Sequence, residues 1–161
     1  MKICHTEAMK MVKEYQEQKN ALTSKEMDNS IISYKEGEEK IKSEYNYEET
    51  RKNIKDLDEK IRKLKNALAI ANTKVLIDNF NITIGEALVY LAQLQKEKQE
   101  LEFLADRQQL TRRITPNGVI EYTECCYDVK TVEEDIKSLR KKIDELQIAI
   151  DRANLTNFIE F

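Results

Sequence analysis

The spacing of apolar side chains limits the fold of this chain more than any other feature. Between residues 47 and 71, and again between 129 and 153, the gaps between them alternate between three and four positions. This spacing places them along one stripe of a helix. Each helix is marginal in water by itself, so each is predicted to pack its stripe against another helix. The main stripe residues, called the seam here, are Ile54, Leu57, Ile61, Leu64, Leu68, Ile136, Leu139, Ile143, Leu146 and Ile150.

The two striped segments also resemble each other in sequence. They match at an offset of 82 residues, and the segments that precede them match at an offset of 79, as in Glu7-Ala8 and Glu86-Ala87. Both members of a helix pair therefore recur in the same order. We interpret the chain as a tandem duplication of an antiparallel helical hairpin, with repeats at 1–78 and 79–161 that together form one domain.

Turn residues and capping residues predict where the elements end. Residues 75–82 favour a small β-hairpin that turns at Asp78-Asn79, and residues 115–118 predict a turn at the second hairpin tip, followed by a strand. The tail at 157–159 is a further candidate strand. Helix starts are predicted from three capping pairs: Thr83 with Glu86, Asn46 with Glu49, and Thr131 with Glu134. Helix ends are predicted from asparagines that tolerate a left-handed cap, Asn72 and Asn154. The predicted fold is all-α, a coiled-coil-like four-helix arrangement with short β segments at the repeat junction and the second tip.

Composition excludes several functional classes. Three glycines and one proline are too few for a many-stranded sandwich or a glycine-rich nucleotide cradle. Charged residues form 35% of the chain, but the signs alternate and the net charge is −3. A nucleic-acid partner is not expected, because counterion release needs a concentrated basic face.

The sequence also lacks the features of membrane or secreted proteins. No uncharged apolar run is long enough to cross a bilayer, and the first residues contain no apolar stretch of the kind a signal peptide has. The three cysteines are an odd number, and two are adjacent, which is unlike a secreted disulfide framework. We therefore expect a cytoplasmic protein with no membrane partner.

Few residues are candidates for chemistry. The soft metal ligands are Cys4, His5, Cys125 and Cys126. Adjacent cysteines on a strand point to opposite faces, so both are poorly placed to bind one zinc ion, and a single histidine excludes a dinuclear Glu-x-x-His site. We expect no catalytic, cofactor or metal site. The sequence leaves open whether these four residues have any role.

Two lysines occupy the same seam position in the two copies. Lys19 and Lys98 lie at the middle of their helices, where a buried ammonium would cost stability. The alternative is a side chain whose stem lies along the seam while its ammonium reaches water. The sequence does not decide between these two arrangements.

The residues Thr83–Leu88 (TIGEAL), the heptads that end in Ala71-Asn72 and Ala153-Asn154, and the helix that begins with Tyr127-Asp128-Val129 carry a resemblance. The chain resembles a family of small uncharacterised bacterial coiled-coil proteins, some of which are labelled septicolysin-like. It departs from them at Asp78-Asn79, where relatives usually have Asp-Gly, and in its charged first tip. The resemblance implies an all-helical, self-associating protein and no established activity.

These observations predict a non-enzymatic interaction or structural protein, which binds a second copy of itself or another helical protein. One alternative is a holdase-type chaperone that resembles prefoldin. It would need exposed apolar tips, for which Ile31-Ile32 and Val119-Ile120 are the candidates. A second alternative is the membrane-active protein that the septicolysin-like label suggests. It is disfavoured because the apolar stripes are narrow and flanked by charge.

Overall fold

The computed structural model describes residues 2–40 and 42–160. The fold is mostly α-helical with short strands, which confirms the predicted fold class. In chain order the elements are β1 (Lys2–Cys4), α1 (His5–Asn29), α2 (Tyr47–Lys74), β2 (Leu76–Ile77), β3 (Ile82–Thr83), α3 (Ile84–Ala105), β4 (Leu110–Ile114), β5 (Ile120–Glu124), α4 (Val129–Thr156) and β6 (Phe158–Glu160).

The chain forms two compact units, each built on a helical hairpin, with one pair of short strands in the first unit and two pairs in the second. The first unit comprises residues 1–74 and 154–161, and the second comprises residues 75–153. Residues 154–161 belong to the first unit because β6 pairs antiparallel with β1. The division into repeats at 1–78 and 79–161 concerns sequence similarity, and it stays a prediction.

In the first unit, α1 and α2 run antiparallel along the first half of the seam. His5 contacts Asn72, Lys19 contacts Asp58 and Glu26 contacts Arg51, so one helix advances as the other returns. Between these contacts lie apolar side chains. Ile54, Leu57, Ile61 and Leu64 of α2 are buried, as are Ala8 and Val12 of α1, whereas Leu68 is half-buried.

In the second unit, α3 and α4 enclose a continuous apolar cluster. It contains Ile84, Ala87, Leu91 and Leu94 of α3, and Leu139, Leu146, Ile150 and Ala153 of α4, with Ile77 from β2. Ile143 is packed against this cluster and is partly buried, and Ile136 is buried. Across the pair, Arg140 Nη2 lies 2.8 Å from Glu102 Oε1. The Tyr127 hydroxyl donates to the Leu104 carbonyl at 2.9 Å.

The strand pairs of the two units have corresponding registers. Ile3 lies opposite Ile159 in β1–β6, and Ile82 lies opposite Ile77 in β2–β3. Each pair extends to the first helical residue: the His5 N–H donates to the Asn157 carbonyl, and the Ile84 N–H donates to the Val75 carbonyl. Offsets of 79 and 82 relate both residue pairs of β2–β3 to the Cys4–Phe158 and Ile3–Ile159 pairs of β1–β6. A duplication would produce this relation.

The predicted capping box at α3 is present. The Glu86 N–H donates to Thr83 Oγ1 at 3.2 Å, and the Thr83 N–H donates to Glu86 Oε2 at 2.8 Å. The predicted junction hairpin is also present as β2–β3, but its turn spans residues 78–81 and not only the predicted Asp78-Asn79. Its turn contains two asparagines with positive φ, Asn79 at 69° and Asn81 at 54°. Asparagine tolerates positive φ better than most residues with a side chain.

Several predicted boundaries are wrong by a fraction of a turn. Asn72 and Asn154 are not left-handed caps, because α2 and α4 continue to Lys74 and Thr156. Thr131 does not begin α4, which starts at Val129. Asp128 serves that helix start instead, since its carboxylate accepts from the Lys130 N–H and the Thr131 hydroxyl.

Lys19 and Lys98 adopt the second of the two arrangements considered above, in which the stem lies along the seam and the ammonium reaches water. Their side chains are 35% and 31% exposed, and each ammonium faces a carboxylate. Lys19 Nζ lies 2.6 Å from Asp58 Oδ1, on the opposite helix, whereas Lys98 Nζ lies 3.8 Å from Glu102 Oε1, on its own helix. The stems therefore cover the seam while the charges remain solvated.

We expect Leu146→Asp to unfold the second unit, because Leu146 is fully buried in its apolar cluster. An unpaired carboxylate at a buried position costs about 3–5 kcal/mol, a large fraction of a typical domain's stability. Circular dichroism during thermal and urea unfolding measures the loss. Ser138→Asp places the same charge at an exposed position of α4 and should change the midpoint little. Equal midpoints for wild type and Leu146→Asp would contradict the assigned packing.

The α3 capping box should respond to pH with a defined sign. A hydrogen bond from the Thr83 backbone N–H holds the pKa of Glu86 below its usual value, and a second one from the Thr83 hydroxyl adds to this effect. The cap's contribution is therefore present above the unfolded pKa, and it is lost as the pH falls through the depressed folded pKa. Thr83→Ala should raise the pKa of Glu86 towards the usual value, as measured by NMR titration of its carboxylate. Thr131→Ala, in the first turn of α4, should leave that pKa unchanged.

Candidate interaction surface

Among the helices and strands of the described residues, the two strands of the β4–β5 hairpin at the second tip are the most exposed. Its five pairs are Leu110 with Glu124, Thr111 with Thr123, Arg112 with Tyr122, Arg113 with Glu121, and Ile114 with Ile120. All ten residues are exposed, so neither face is covered by the described residues. A hairpin of two strands is only marginally stable in water, and it usually needs further strands or a packed face.

The two faces of this hairpin differ in chemistry. Alternation places Leu110, Ile114, Ile120 and Tyr122 on one face together with Arg112 and Glu124. Ile114 is 67% exposed and Tyr122 is 61% exposed. The opposite face carries two threonines and an ion pair, in which Arg113 Nη2 lies 2.6 Å from Glu121 Oε2. The hairpin is therefore amphipathic, with an apolar face open to solvent.

The free backbone groups of this hairpin belong to the residues of its apolar face. Backbone hydrogen bonds join Thr115 to Val119 and Cys125 to Gln109, so these are hydrogen-bonded pairs of the ladder. In an antiparallel ladder such pairs alternate with pairs whose N–H and C=O groups point outwards. The outward groups therefore lie on Leu110, Arg112 and Ile114 of β4 and on Ile120, Tyr122 and Glu124 of β5. Each strand has one neighbour among the described residues, which leaves both edges unpaired.

The hairpin is fixed at both ends. At the tip, the Gly118 N–H donates to the Thr115 carbonyl at 2.9 Å, and Gly118 has a φ of 79°, which a side chain would disfavour. At the base, the Gln109 amide donates to the Tyr127 carbonyl at 2.9 Å and accepts from the Val129 N–H at 3.0 Å. The Gln109 side chain therefore joins the base of the hairpin to the start of α4.

Cys125 and Cys126 lie at this base. The Cys125 thiol donates to the Gln108 carbonyl at 3.3 Å, whereas Cys126 is exposed. Burial is the main cause that raises the pKa of Tyr127, and a hydrogen bond with Cys125 raises it further. The geometry indicates that Cys125 helps hold the strand-to-helix connection.

Cys4 and His5 are buried at the start of α1 in the first unit. Cys4 caps α1: its thiol accepts from the Glu7 N–H at 3.4 Å, and its own N–H donates to Glu7 Oε2 at 2.8 Å. His5 Nε2 donates to Asn72 Oδ1 at 2.9 Å, which leaves Nδ1 buried and without a partner among the described residues. The sequence missed this capping box, because cysteine is not a usual capping residue.

The first hairpin tip is anchored by a buried carboxylate. Glu26 accepts from the Tyr45 hydroxyl at 2.6 Å and pairs with Arg51 at 2.9 Å, so the connection from α1 to α2 is joined to both helices. The hydrogen bond to Glu26 raises the pKa of Tyr45 to about 12. Beyond this anchor, Ile31 is 76% exposed.

A groove of about 450 Å³ between α1 and α2 is lined mainly by apolar, amide and lysine side chains, with the Asp56 carboxylate. Within residues 2–40 and 42–160, no three or more His, Cys, Asp or Glu residues are grouped so as to hold a metal ion. The seam residues are mostly buried between their own helices. The hairpin exposes Leu110, Ile114, Ile120 and Tyr122 on one face, and the sequence predicted only its second strand.

Comparisons with known proteins agree on the fold alone. No family model matches the chain, and no curated protein matches it. The chain is similar in structure to a functionally unknown conserved protein from Corynebacterium diphtheriae, with a TM-score of 0.67 and 18% sequence identity. The alignment covers 99% of this chain and 100% of the other. At that identity the likeness shows a shared fold and carries no activity.

Among the helices of the described residues, none combines the length and the apolar character that a membrane crossing requires.

We expect two equivalent asparagines to respond differently to substitution. Asn72→Leu removes the acceptor for the buried His5 Nε2–H, which should cost about 1–3 kcal/mol. Asn154, its counterpart at an offset of 82, has a buried Oδ1 with no partner among the described residues, so Asn154→Leu should cost less or stabilise. Urea unfolding of both variants measures the difference. Equal losses would mean that the His5–Asn72 hydrogen bond contributes nothing specific.

Proposed function

We propose that this protein is a non-catalytic interaction protein that binds a macromolecular partner through the β4–β5 hairpin. The observation that carries the proposal is the full exposure of both faces of this hairpin, including a face with four large apolar side chains. Soluble proteins rarely expose contiguous apolar patches without a function. The hairpin also has two open edges, to which an extended segment of a partner could add.

The rest of the described surface supports a binding role over a catalytic one. Ion pairs of the described residues lie on the helices and the hairpin and have largely exposed side chains, except Arg51–Glu26, whose carboxylate is buried. Such pairs contribute little stability, and they keep a helix face hydrated. We place the protein in the cytoplasm. We also propose that it is related to the septicolysin-like bacterial coiled-coil proteins, and that it has no cytolytic activity.

A holdase-type chaperone is the second candidate. It is favoured by exposed apolar residues at both hairpin tips, Ile31 at the first and Val119 and Ile120 at the second. A holdase binds many unfolded chains weakly through such side chains, whereas an interaction protein binds one partner with defined geometry. The two functions therefore differ in what the tip contacts.

The proposal can be tested by a photo-crosslinking amino acid at Tyr122, on the apolar face of the hairpin. In cells that express the chain, we expect ultraviolet light to join it to one or a few proteins in discrete adducts. The matched control carries the same amino acid at Lys55, on an exposed face of α2, and should form few adducts.

Two outcomes of this experiment overturn the proposal. Adducts of equal yield from positions 122 and 55 would show that the hairpin is not a preferred contact. A broad distribution of adducts that increases after heat shock would favour the holdase.

A further inference from the structure

We propose that the partner at this hairpin is a second copy of the chain, joined to the first by antiparallel pairing of β5 with β5 across a two-fold axis. This inference rests on the proposed function and specifies its occupant. It follows from three properties of the hairpin: the direction of its free backbone groups, the order of side chains along each edge, and the position of its charges.

The β5 edge presents a complete set of hydrogen-bonding groups for such pairing. The N–H and C=O groups of Ile120, Tyr122 and Glu124 point away from β4, because these residues form the pairs that do not bond across the hairpin. A strand added there in antiparallel orientation, centred on Tyr122, would bond with all three. The result is a four-stranded sheet in the order β4–β5–β5–β4, and sheets of this size are stable where an isolated hairpin is marginal.

The side-chain order of β5 is compatible with its own reverse. With Tyr122 on the axis, Tyr122 lies opposite Tyr122 of the second copy, Ile120 lies opposite Glu124, and Glu121 lies opposite Thr123. No like charges face each other, and the two tyrosines form an aromatic cross-strand pair, which is favourable. Glu121 also retains its ion pair with Arg113 on the polar face.

The β4 edge is incompatible with the equivalent pairing. Its outward groups belong to Leu110, Arg112 and Ile114, so in-register self-pairing would be centred on Arg112. Two guanidinium groups would then lie directly opposite each other, which destabilises a strand pair. Because only one edge accepts its own copy, association closes at two chains and does not extend into a filament.

The apolar faces favour the same arrangement. Ile114 and Ile120 lie on the same face as Tyr122, so pairing two hairpins would double the width of an apolar surface. A five-residue strand pair is small, below the roughly 1,200 Å² of buried area that marks a stable interface. We therefore expect a dimer that dissociates on dilution through the micromolar range.

The test uses proline, which removes one backbone N–H. Tyr122→Pro removes the outward N–H on the proposed axis and leaves the bonds between β4 and β5 intact, because proline is tolerated at open edges. Arg112→Pro makes the same change on the opposite edge and is the matched control. Sedimentation equilibrium, from low micromolar to several hundred micromolar chain, should show dimers for wild type and for Arg112→Pro, and monomers for Tyr122→Pro.

A cysteine on the axis gives an independent measurement. In a Cys125→Ser, Cys126→Ser background, Tyr122→Cys should form an intermolecular disulfide under mild oxidation. Its two α-carbons would lie about 5.5 Å apart, which a disulfide spans. Arg112→Cys should form far less. Circular dichroism should show unchanged helix content in every variant.

The outcomes separate this inference from the proposed function. A wild-type chain that is monomeric at all concentrations, or a dimer that Tyr122→Pro and Arg112→Pro weaken equally, overturns the β5 pairing. If the chain is monomeric but position 122 still crosslinks to another protein, the proposed function stands and its partner is different. If neither occurs, both are wrong.

Discussion

The fold depends on burying one narrow apolar stripe per helix against a single partner helix. With gaps of three and four residues, the stripes of α2 and α4 are wide enough for one neighbour, and charged residues occupy the remaining surface. In the first unit this gives a helical hairpin whose apolar contacts end near the connection, where the Glu26 carboxylate joins Tyr45 and Arg51. In the second unit the apolar cluster continues through Leu146 and Ile150 to the strand residue Ile77.

Much of this architecture could be predicted from the sequence, because the stripes and the capping box at Thr83 are local signals. Two strands, β1 and β4, were not predicted, and the reasons differ. Strand β1 is three residues long, and its partner β6 is at the opposite end of the sequence, so no local pattern indicates it. Strand β4 contains Arg112 and Arg113 in succession and has no buried face, so it lacks the clear alternation of a half-buried strand.

The asparagines near the helix ends do not act as caps. Asparagine at a helix end suggests a left-handed cap, but α2 and α4 continue for two residues past Asn72 and Asn154, and the Asn72 side chain accepts a hydrogen bond from His5. The counterpart of His5 at the 79-residue offset is Ile84, a fully buried hydrocarbon. The same sequence feature therefore makes a polar contact near the end of α2, whereas near the end of α4 the corresponding position offers no donor of that kind. The candidate surface was predicted in part, through the turn at 115–118 and the strand after it.

The pairing of β1 with β6 brings the two ends of the described chain together. Lys2 lies opposite Glu160, and such partners have α-carbons about 5 Å apart. A few added residues would therefore suffice to join the ends, and the covalent break could move to the turn between β2 and β3. A circularly permuted chain of this kind, beginning near Asn81, would retain every helix and every strand pair. The order in which the ribosome supplies the elements could thus be changed while the contacts between them stay the same.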